Sequence, residues 1–300
     1  MNNRRQFIKT VAAGAAFMTI PNIVKANYAQ RQKITILHTN DVHSHIDPFP
    51  ANHNKFPSQG GFAARSAIIQ KLRQENEHVL LLDSGDIFQG TPYFNYYGGK
   101  LELELMTRMG YDAATLGNHE FDNGVTHLSQ QIKKAGFPFI NTNYDIAETA
   151  LEYLISPWKI IQKGNIKIGI IGLGIRPDGL IAPSNFGRIK YLDPIIKGET
   201  TAALLKQEKK CNMVIALSHL GLKMEGQPDD ITLARQTKNI DMILGGHTHT
   251  FLEDPIEESN LAGRKVTIHQ SGWAGVKMEQ INVIFEKDKT TTTTSQLTLH

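Results

Sequence analysis

The chain has 300 residues, 40% hydrophobic and 20% charged, with 25 Gly and 12 Pro, a globular composition that excludes collagen, coiled coil and wholesale disorder. One cysteine, Cys211, against 12 His excludes a disulfide framework and multi-cysteine metal sites, so any bound metal must take imidazole and carboxylate ligands. The net charge is +3, but residues 1–26 hold Arg4, Arg5, Lys9 and Lys25 and no acid, which leaves −1 for the rest and no electrostatic reason to expect nucleic acid or an anionic membrane as partner.

In chain order, residues 1–26 read as a signal peptide. They have a charged start, an apolar stretch from Val11 to Ile20, and Val24-Lys25-Ala26 as a small-residue cleavage site. The stretch is far short of the roughly 20 residues a membrane span needs. Asn3-Arg4-Arg5-Gln6-Phe7-Ile8-Lys9 resembles a twin-arginine export signal, and no cysteine near the cleavage site could carry a lipid anchor. The expectation is a periplasmic protein, free of the membrane after cleavage, with 27–32 as a linker.

Strands are predicted at Ile34–His38, Val79–Leu82, Ala113–Leu116, Phe137–Ile140, Ile166–Ile171, Met213–Leu217, Met242–Leu244, Lys265–His269 and Gln280–Phe285. Helices are predicted at Gly61–Gln74, Lys100–Met109, Val125–Ala135, Ile195–Lys209 and Asp229–Thr237. The alternation means an α/β fold, a single domain over 33–287. Asp47–Gly60 and Arg176–Pro194 lack periodicity and are expected to be loops that line a site. Residues 288–300, with the Thr290–Thr294 run, read as a low-complexity tail without a role.

Function shows in where the polar residues fall. The first strand ends in Asn40-Asp41-Val42-His43-Ser44-His45, the second in Asp83-Ser84-Gly85-Asp86, the third in Gly117-Asn118-His119-Glu120-Phe121-Asp122. Two later strands end in Ser218-His219 and Gly245-Gly246-His247-Thr248-His249. The carboxyl rim of an α/β sheet is where ligands bind. A lone strand-end Asp or His is commonly a cap or turn residue, but no cap needs histidine, and five such ends in a row exceed that explanation.

This order of motifs resembles the dinuclear metallophosphoesterases. Ile36 to His45, Leu82 to Pro92 and Gly117 to Asp122 closely resemble the catalytic domain of the bacterial 5′-nucleotidase/UDP-sugar hydrolase family, over roughly 33–287. The resemblance implies a four-layer α/β/β/α sandwich and two divalent metal ions, zinc or manganese given the mixed donors. It assigns Asp41, His43 and His249 to one ion, Asn118, His219 and His247 to the other, and Asp86 to both. The family often has Gln or Asn where this chain has His249. Two such ions against Asp41, Asp86 and a bridging hydroxide leave the site net positive, attractive to phosphate, and suited to in-line attack of that hydroxide. His119 and Asp122, three apart, share a side if their turn is helical. His119 is then the general acid, oriented by Asp122, and the resemblance assigns the same pair. Asn118 and His119 are also expected to touch the substrate phosphate. His38 and His45 are expected in the core or behind the ligands, Asp83 as a brace for the Asp86 loop, and His53, His78, His127 and His300 on the surface.

The family usually carries a second, C-terminal domain that supplies substrate specificity, and these 300 residues hold no counterpart to it. Three readings follow. The first is a periplasmic phosphomonoesterase of 5′-nucleotidase type acting on a small phosphate ester such as a nucleotide, with a separately encoded substrate domain as a candidate partner. The second keeps the core but changes the bond: a phosphodiesterase, a UDP-sugar pyrophosphatase or a thiosulfohydrolase-type enzyme. The third is a non-catalytic, metal-dependent binding partner, against which the complete ligand set argues.

Overall fold

A computed structural model describes residues 31–287 and 289–300, so the expected leader at 1–26 and residues 27–30 of the expected linker lie outside the described residues. Strand formation follows the alternation in the sequence. In β1 (Gln32–Thr39), Ile34 and Ile36 face one way and Leu37 the other, because successive strand side chains point to opposite faces. One sheet is completed by β2 (Val79–Asp83), β3 (Ala113–Ala114), β4 (Phe139–Ile140), β6 (Ile155–Ser156), β14 (Lys277–Phe285) and β15 (Thr290–Thr298), in the order β15-β14-β1-β2-β3-β4-β6. The second holds β7 (Trp158–Lys163), β8 (Ile166–Leu173), β10 (Met213–Ser218), β11 (Met242–Leu244), β12 (Ile256–Ser259) and β13 (Lys265–His269), in the order β12-β13-β11-β10-β8-β7. The strands β1-β2-β3-β4 and β8-β10-β11-β13 run parallel within their sheets.

The sheets pack face to face through Ile34, Ile36, Leu80 and Leu82 from the first and Ile168, Ile170, Ile215 and Leu217 from the second. Each such buried side chain contributes roughly 1.5–3 kcal/mol. The outer face of the first sheet is covered by α1 (Phe62–Glu75), α3 (Lys100–Met109) and α4 (Gly124–Ile132) through Ile69, Leu103 and Leu128. That of the second is covered by α6 (Pro194–Ala203) and α7 (Asp230–Gln236) through Ala202, Leu233 and Ala234. These are the expected α/β/β/α layers. No helix among the described residues is long and apolar enough to cross a membrane.

Residues 289–300 do not form the expected low-complexity tail. Thr290–Thr298 pairs with β14 from Phe285↔Thr290 to Lys277↔Thr298, and Leu299 is fully buried. A run of β-branched threonines favours extended backbone, but a run of one residue type has no alternation to reveal it. Other differences are smaller. The short helices α2 (Pro92–Tyr97) and α5 (Pro183–Phe186) and the pair β5 (Tyr144–Asp145) with β9 (Lys190–Tyr191) occupy segments without clear periodicity. The helix expected at Ile195–Lys209 stops at Ala203 and continues as a wide π turn, Leu204–Glu208.

Candidate metal centre

Every expected ligand lies just beyond the carboxyl end of a parallel strand, and the stacked sheets bring these ends together. Asp41 and His43 follow β1, Asp86 follows β2, Asn118 follows β3, His219 follows β10, and His247 and His249 follow β11. The first two loops are zipped by Asp41 N→Gly85 O (2.9 Å), His43 N→Asp86 O (3.1 Å) and Ser44 N→Ile87 O (2.9 Å). Glycine is required where the second and third loops meet. A Cβ on Gly85 (φ +87) would sit 2.5 Å from Gly117 N, and one on Gly117 would fall on the Asp86 carboxylate.

Five of the seven expected ligands hold left-handed backbone: Asp41 (φ 49), His43 (φ 46), Asp86 (φ 53), His247 (φ 72) and His249 (φ 53). Each such non-glycine residue costs roughly 1–3 kcal/mol and persists only where its surroundings over-determine it.

Two groups could each hold a metal ion: Asp41, His43 and His249, and Asp86, His219 and His247. Asn118 joins the second, its Oδ1 3.0 Å from His247 Nδ1. Asp86 Oδ2 lies 3.0 Å from His219 Nε2 and 3.8 Å from His43 Nε2, so it reaches both groups. Asp41 Oδ1 is 3.4 Å from His249 Nε2 and 3.9 Å from His219 Nε2. The structure thus brings all seven residues into one place.

The donor chemistry fits a cation. His219 Nδ1 faces the Ser84 carbonyl at 2.7 Å, and His43 Nδ1 faces the Phe88 and Gln89 carbonyls at 3.2 Å. A carbonyl only accepts, so each Nδ1 carries a proton and each Nε2 points into the site, the atom that a neutral, metal-ligating histidine would offer. His219 Nε2 is buried and, although 3.0 Å from Asp86, lacks the alignment of a hydrogen bond. His43 and His249 bring their Nε2 atoms within 3.0 Å of each other. Electrostatics agree. Burial, opposed by Asp86 and Asp41, lowers the His43 pKa, and burial with the neighbouring His219 pushes His247 down to about 4. Burial would also depress His219, but Asp86 and Asp41 outweigh it and push it up to about 10. Burial would raise Asp86, but His219, His43 and His119 hold it below the usual carboxylate range. Two buried carboxylates faced by one imidazolium call for more positive charge.

His119 begins a 3-10 turn (His119–Phe121), and its Nδ1 lies 2.9 Å from Asp122 Oδ2. The pair is about one-third exposed, and the His119 ring is 5.3 Å from that of His43. Burial would lower the His119 pKa, but Asp122 and then Asp86 outweigh it and raise it. Asn185 Nδ2 donates to the Asp122 carbonyl at 2.7 Å, so the Arg176–Pro194 segment touches this edge.

Sequence reasoning assigned Glu120 no role. Its buried carboxylate accepts from Gly117 N (2.6 Å), Ile87 N (2.8 Å), Asp86 N (2.9 Å) and Phe88 N (3.3 Å), pinning the Asp86 loop to the Asn118 loop. An acid directly after Asn118-His119 was the one available signal. Asp83 braces as expected, accepting from Gly85 N (2.9 Å) and Thr39 Oγ1 (2.6 Å). His38 is buried behind the ligands, between Ser84 Oγ and Glu279. His45 meets Trp273 edge to face. His53 and His127 are half-buried rather than on the open surface, His53 among Phe49 and Phe56 and His127 against the Gly98 carbonyl.

Residues 34–251 match the calcineurin-like phosphoesterase family. The chain belongs to that family. It is similar to a snake venom 5′-nucleotidase of Crotalus adamanteus, with 36% identity over 276 residues, 85% of this chain and 45% of that protein. It is similar also to a 5′-nucleotidase of Vibrio cholerae, with 35% identity over 80% of this chain and 45% of that protein. The crystal structure of a 5′-nucleotidase precursor from Thermus thermophilus superposes with a TM-score of 0.80 at 31% identity, over 89% of this chain and 55% of that one. The chain therefore spans about half the length of the relatives it matches.

Proposed function

We propose that the chain is a periplasmic, metal-dependent phosphomonoesterase of 5′-nucleotidase type, acting on a small phosphate ester of which a nucleotide is the first candidate. The observation that carries this reading is two metal-capable groups meeting at Asp86, with a carboxylate-backed imidazole at their edge. Asp41, His43 and His249 would hold one divalent ion, Asn118, His219 and His247 the other, and Asp86 both. Zinc or manganese suits these mixed donors. When bound, such a pair supplies a water of lowered pKa and neutralises phosphoryl charge.

The protein's own groups do the rest. Asp122 occupies His119 Nδ1, so the imidazolium presents its Nε2 proton to the leaving oxygen, worth ~10²–10⁴ in rate. The Asn118 amide, with Oδ1 turned to His247, has its NH₂ free to meet a phosphoryl oxygen. Export rests on the leader expected at residues 1–26. A separately encoded substrate domain is the candidate partner.

The test is a substrate panel on protein loaded with zinc or manganese: a nucleoside 5′-monophosphate, a cyclic nucleotide, UDP-glucose and a thiosulfate ester. Release of phosphate from the monophosphate should dominate. Faster turnover of any other member would overturn the assignment, and silence on all four would point to a binding role.

A further inference from the structure

The candidate ligand histidines are not held alike. His43 and His219 have their remote nitrogens fixed by main-chain carbonyls, and His247 is held by its main-chain N–H on the Asp41 carboxylate. The His249 side chain is 40% exposed, and its Nδ1 meets no hydrogen-bond partner among the described residues. An imidazole free to turn about χ1 and χ2 makes a poor ligand, since the ordering cost falls due on binding.

What fixes His249 is a ring. Trp273 stacks on it with centroids 5.7 Å apart and planes 9° from parallel. The indole is itself fixed, with His45 against it at 5.2 Å and 85° and Phe49 at 6.1 Å and 70°. The Trp273 loop is bolted to the loop of Asp41: Ser271 N donates to Asn40 Oδ1 (2.8 Å), Asn40 Nδ2 to the Gly272 carbonyl (2.7 Å) and Ala274 N to the Asp41 carbonyl (2.7 Å). It is bolted equally to the loop of His249, through Gln270 Nε2 to the Gly246 carbonyl (2.6 Å) and Gly272 N to the Thr250 carbonyl (2.9 Å). Ala274, next to Trp273, takes left-handed backbone (φ 56), a conformation kept only where the surroundings demand it. Trp273 therefore stands at a set height relative to both Asp41 and His249.

We infer that Trp273 is a positioning residue for one of the two ions, setting the plane of His249 by stacking where the other ligand histidines use hydrogen bonds. The inference rests on the two-metal reading of the site. It makes the affinity of the ion held by Asp41, His43 and His249 depend on a flat ring at position 273, and leaves the ion held by Asn118, His219 and His247 indifferent to it.

The experiment titrates metal-free full-length protein with Mn²⁺, following metal stoichiometry by calorimetry and tryptophan emission in a Trp158→Phe background, where Trp273 is the sole indole. Mn²⁺ should quench Trp273 emission, and His249→Ala should weaken that quenching and remove the binding phase of one ion. Trp273→Ala should weaken one of the two ions by roughly 10–100-fold, the size of an outer-shell loss, with the other unchanged. Trp273→Phe should restore it to within a few-fold. The proposal is overturned if Trp273→Ala binds both ions as the parent does, or if Phe is as poor as Ala. It is also overturned if both ions weaken together with a lowered melting temperature. A parent protein that binds no Mn²⁺ would instead overturn the two-metal reading itself.

Discussion

The first sheet's half of the site and the second sheet's half are held in different ways. Asp41, His43, Asp86 and Asn118 are buried, on loops zipped by main-chain hydrogen bonds and clamped by Glu120. The second sheet contributes His219, equally buried, but its outer loop is assembled on the first half. His247 N donates to the Asp41 carboxylate, and His249 is exposed and leans on Trp273. One half is pre-organised by the fold, and the other borrows its order from it. A ligand shared by two ions would belong on the pre-organised side, where one residue can serve both at fixed separation, and the proposed shared ligand, Asp86, lies there.

The sharpest way to break this contrast is to remove one ligand from each half. Asp86→Ala should abolish phosphatase activity and lower the content of both ions, measured by elemental analysis after dialysis. His249→Ala should cost one ion at most and leave residual turnover. Equal losses would mean that the two halves form a single rigid unit.

His119→Ala, on the pre-organised side, should leave both ions bound and act on the leaving group. A nucleoside alkoxide needs a proton, and a para-nitrophenolate does not. Hydrolysis of a nucleoside monophosphate should therefore fall by ~10²–10⁴ while para-nitrophenyl phosphate loses far less. Equal slowing would move the proton donor elsewhere, and loss of metal would make His119 a ligand.

Glu120→Gln tests the clamp. The amide would turn an NH₂ toward main-chain N–H groups that now donate to a carboxylate, so the variant should lose roughly 3 kcal/mol in urea unfolding, the value of a hydrogen bond to a buried charge. Its metal affinity should fall at both ions, since the new NH₂ would release either Asp86 N with Gly117 N or Ile87 N with Phe88 N, and both pairs hold the Asp86 loop. Unchanged stability would show that the zipped main chain alone pre-organises the loops.

The contrast also marks what was legible in the sequence. The gathering of the candidate ligands could be read because parallel strands point their carboxyl ends at one rim, and the proximity of His119 to Asp122 because three residues make one helical turn. What could not be read depends on chain segments meeting only in the folded state. Glu120 gains its role when the β2 and β3 loops approach. Trp273 lies 24 positions beyond the histidine it stacks on, in a stretch without periodicity. The strand at Thr290–Thr298 is specified by its pairing with β14 rather than by any pattern of its own.

The smallest expected effect concerns Asp122, where the sign of a pH shift decides. Burial pulls the His119 pKa down, and the hydrogen bond that its Nδ1 donates to Asp122 leads the contributions that raise it above its ordinary 6.5. If His119 is the proposed general acid, the competent form is the imidazolium, and the rate of nucleoside monophosphate hydrolysis should fall as pH rises through the folded-state pKa. Asp122→Asn removes the leading contribution and should carry this basic limb to lower pH, with a drop in rate smaller than that of His119→Ala. Stability should follow the same sign. A raised imidazole pKa stabilises the fold below 6.5 and loses that contribution as pH rises through the folded value, so Asp122→Asn should differ from the parent most near pH 5–6 and least at pH 9. Both groups are about one-third exposed, and solvent screening keeps the stability difference small, which makes the pH–rate profile at saturating metal the decisive measurement. A basic limb that stays in place would assign it to another group and leave Asp122 the simpler task of orienting the ring.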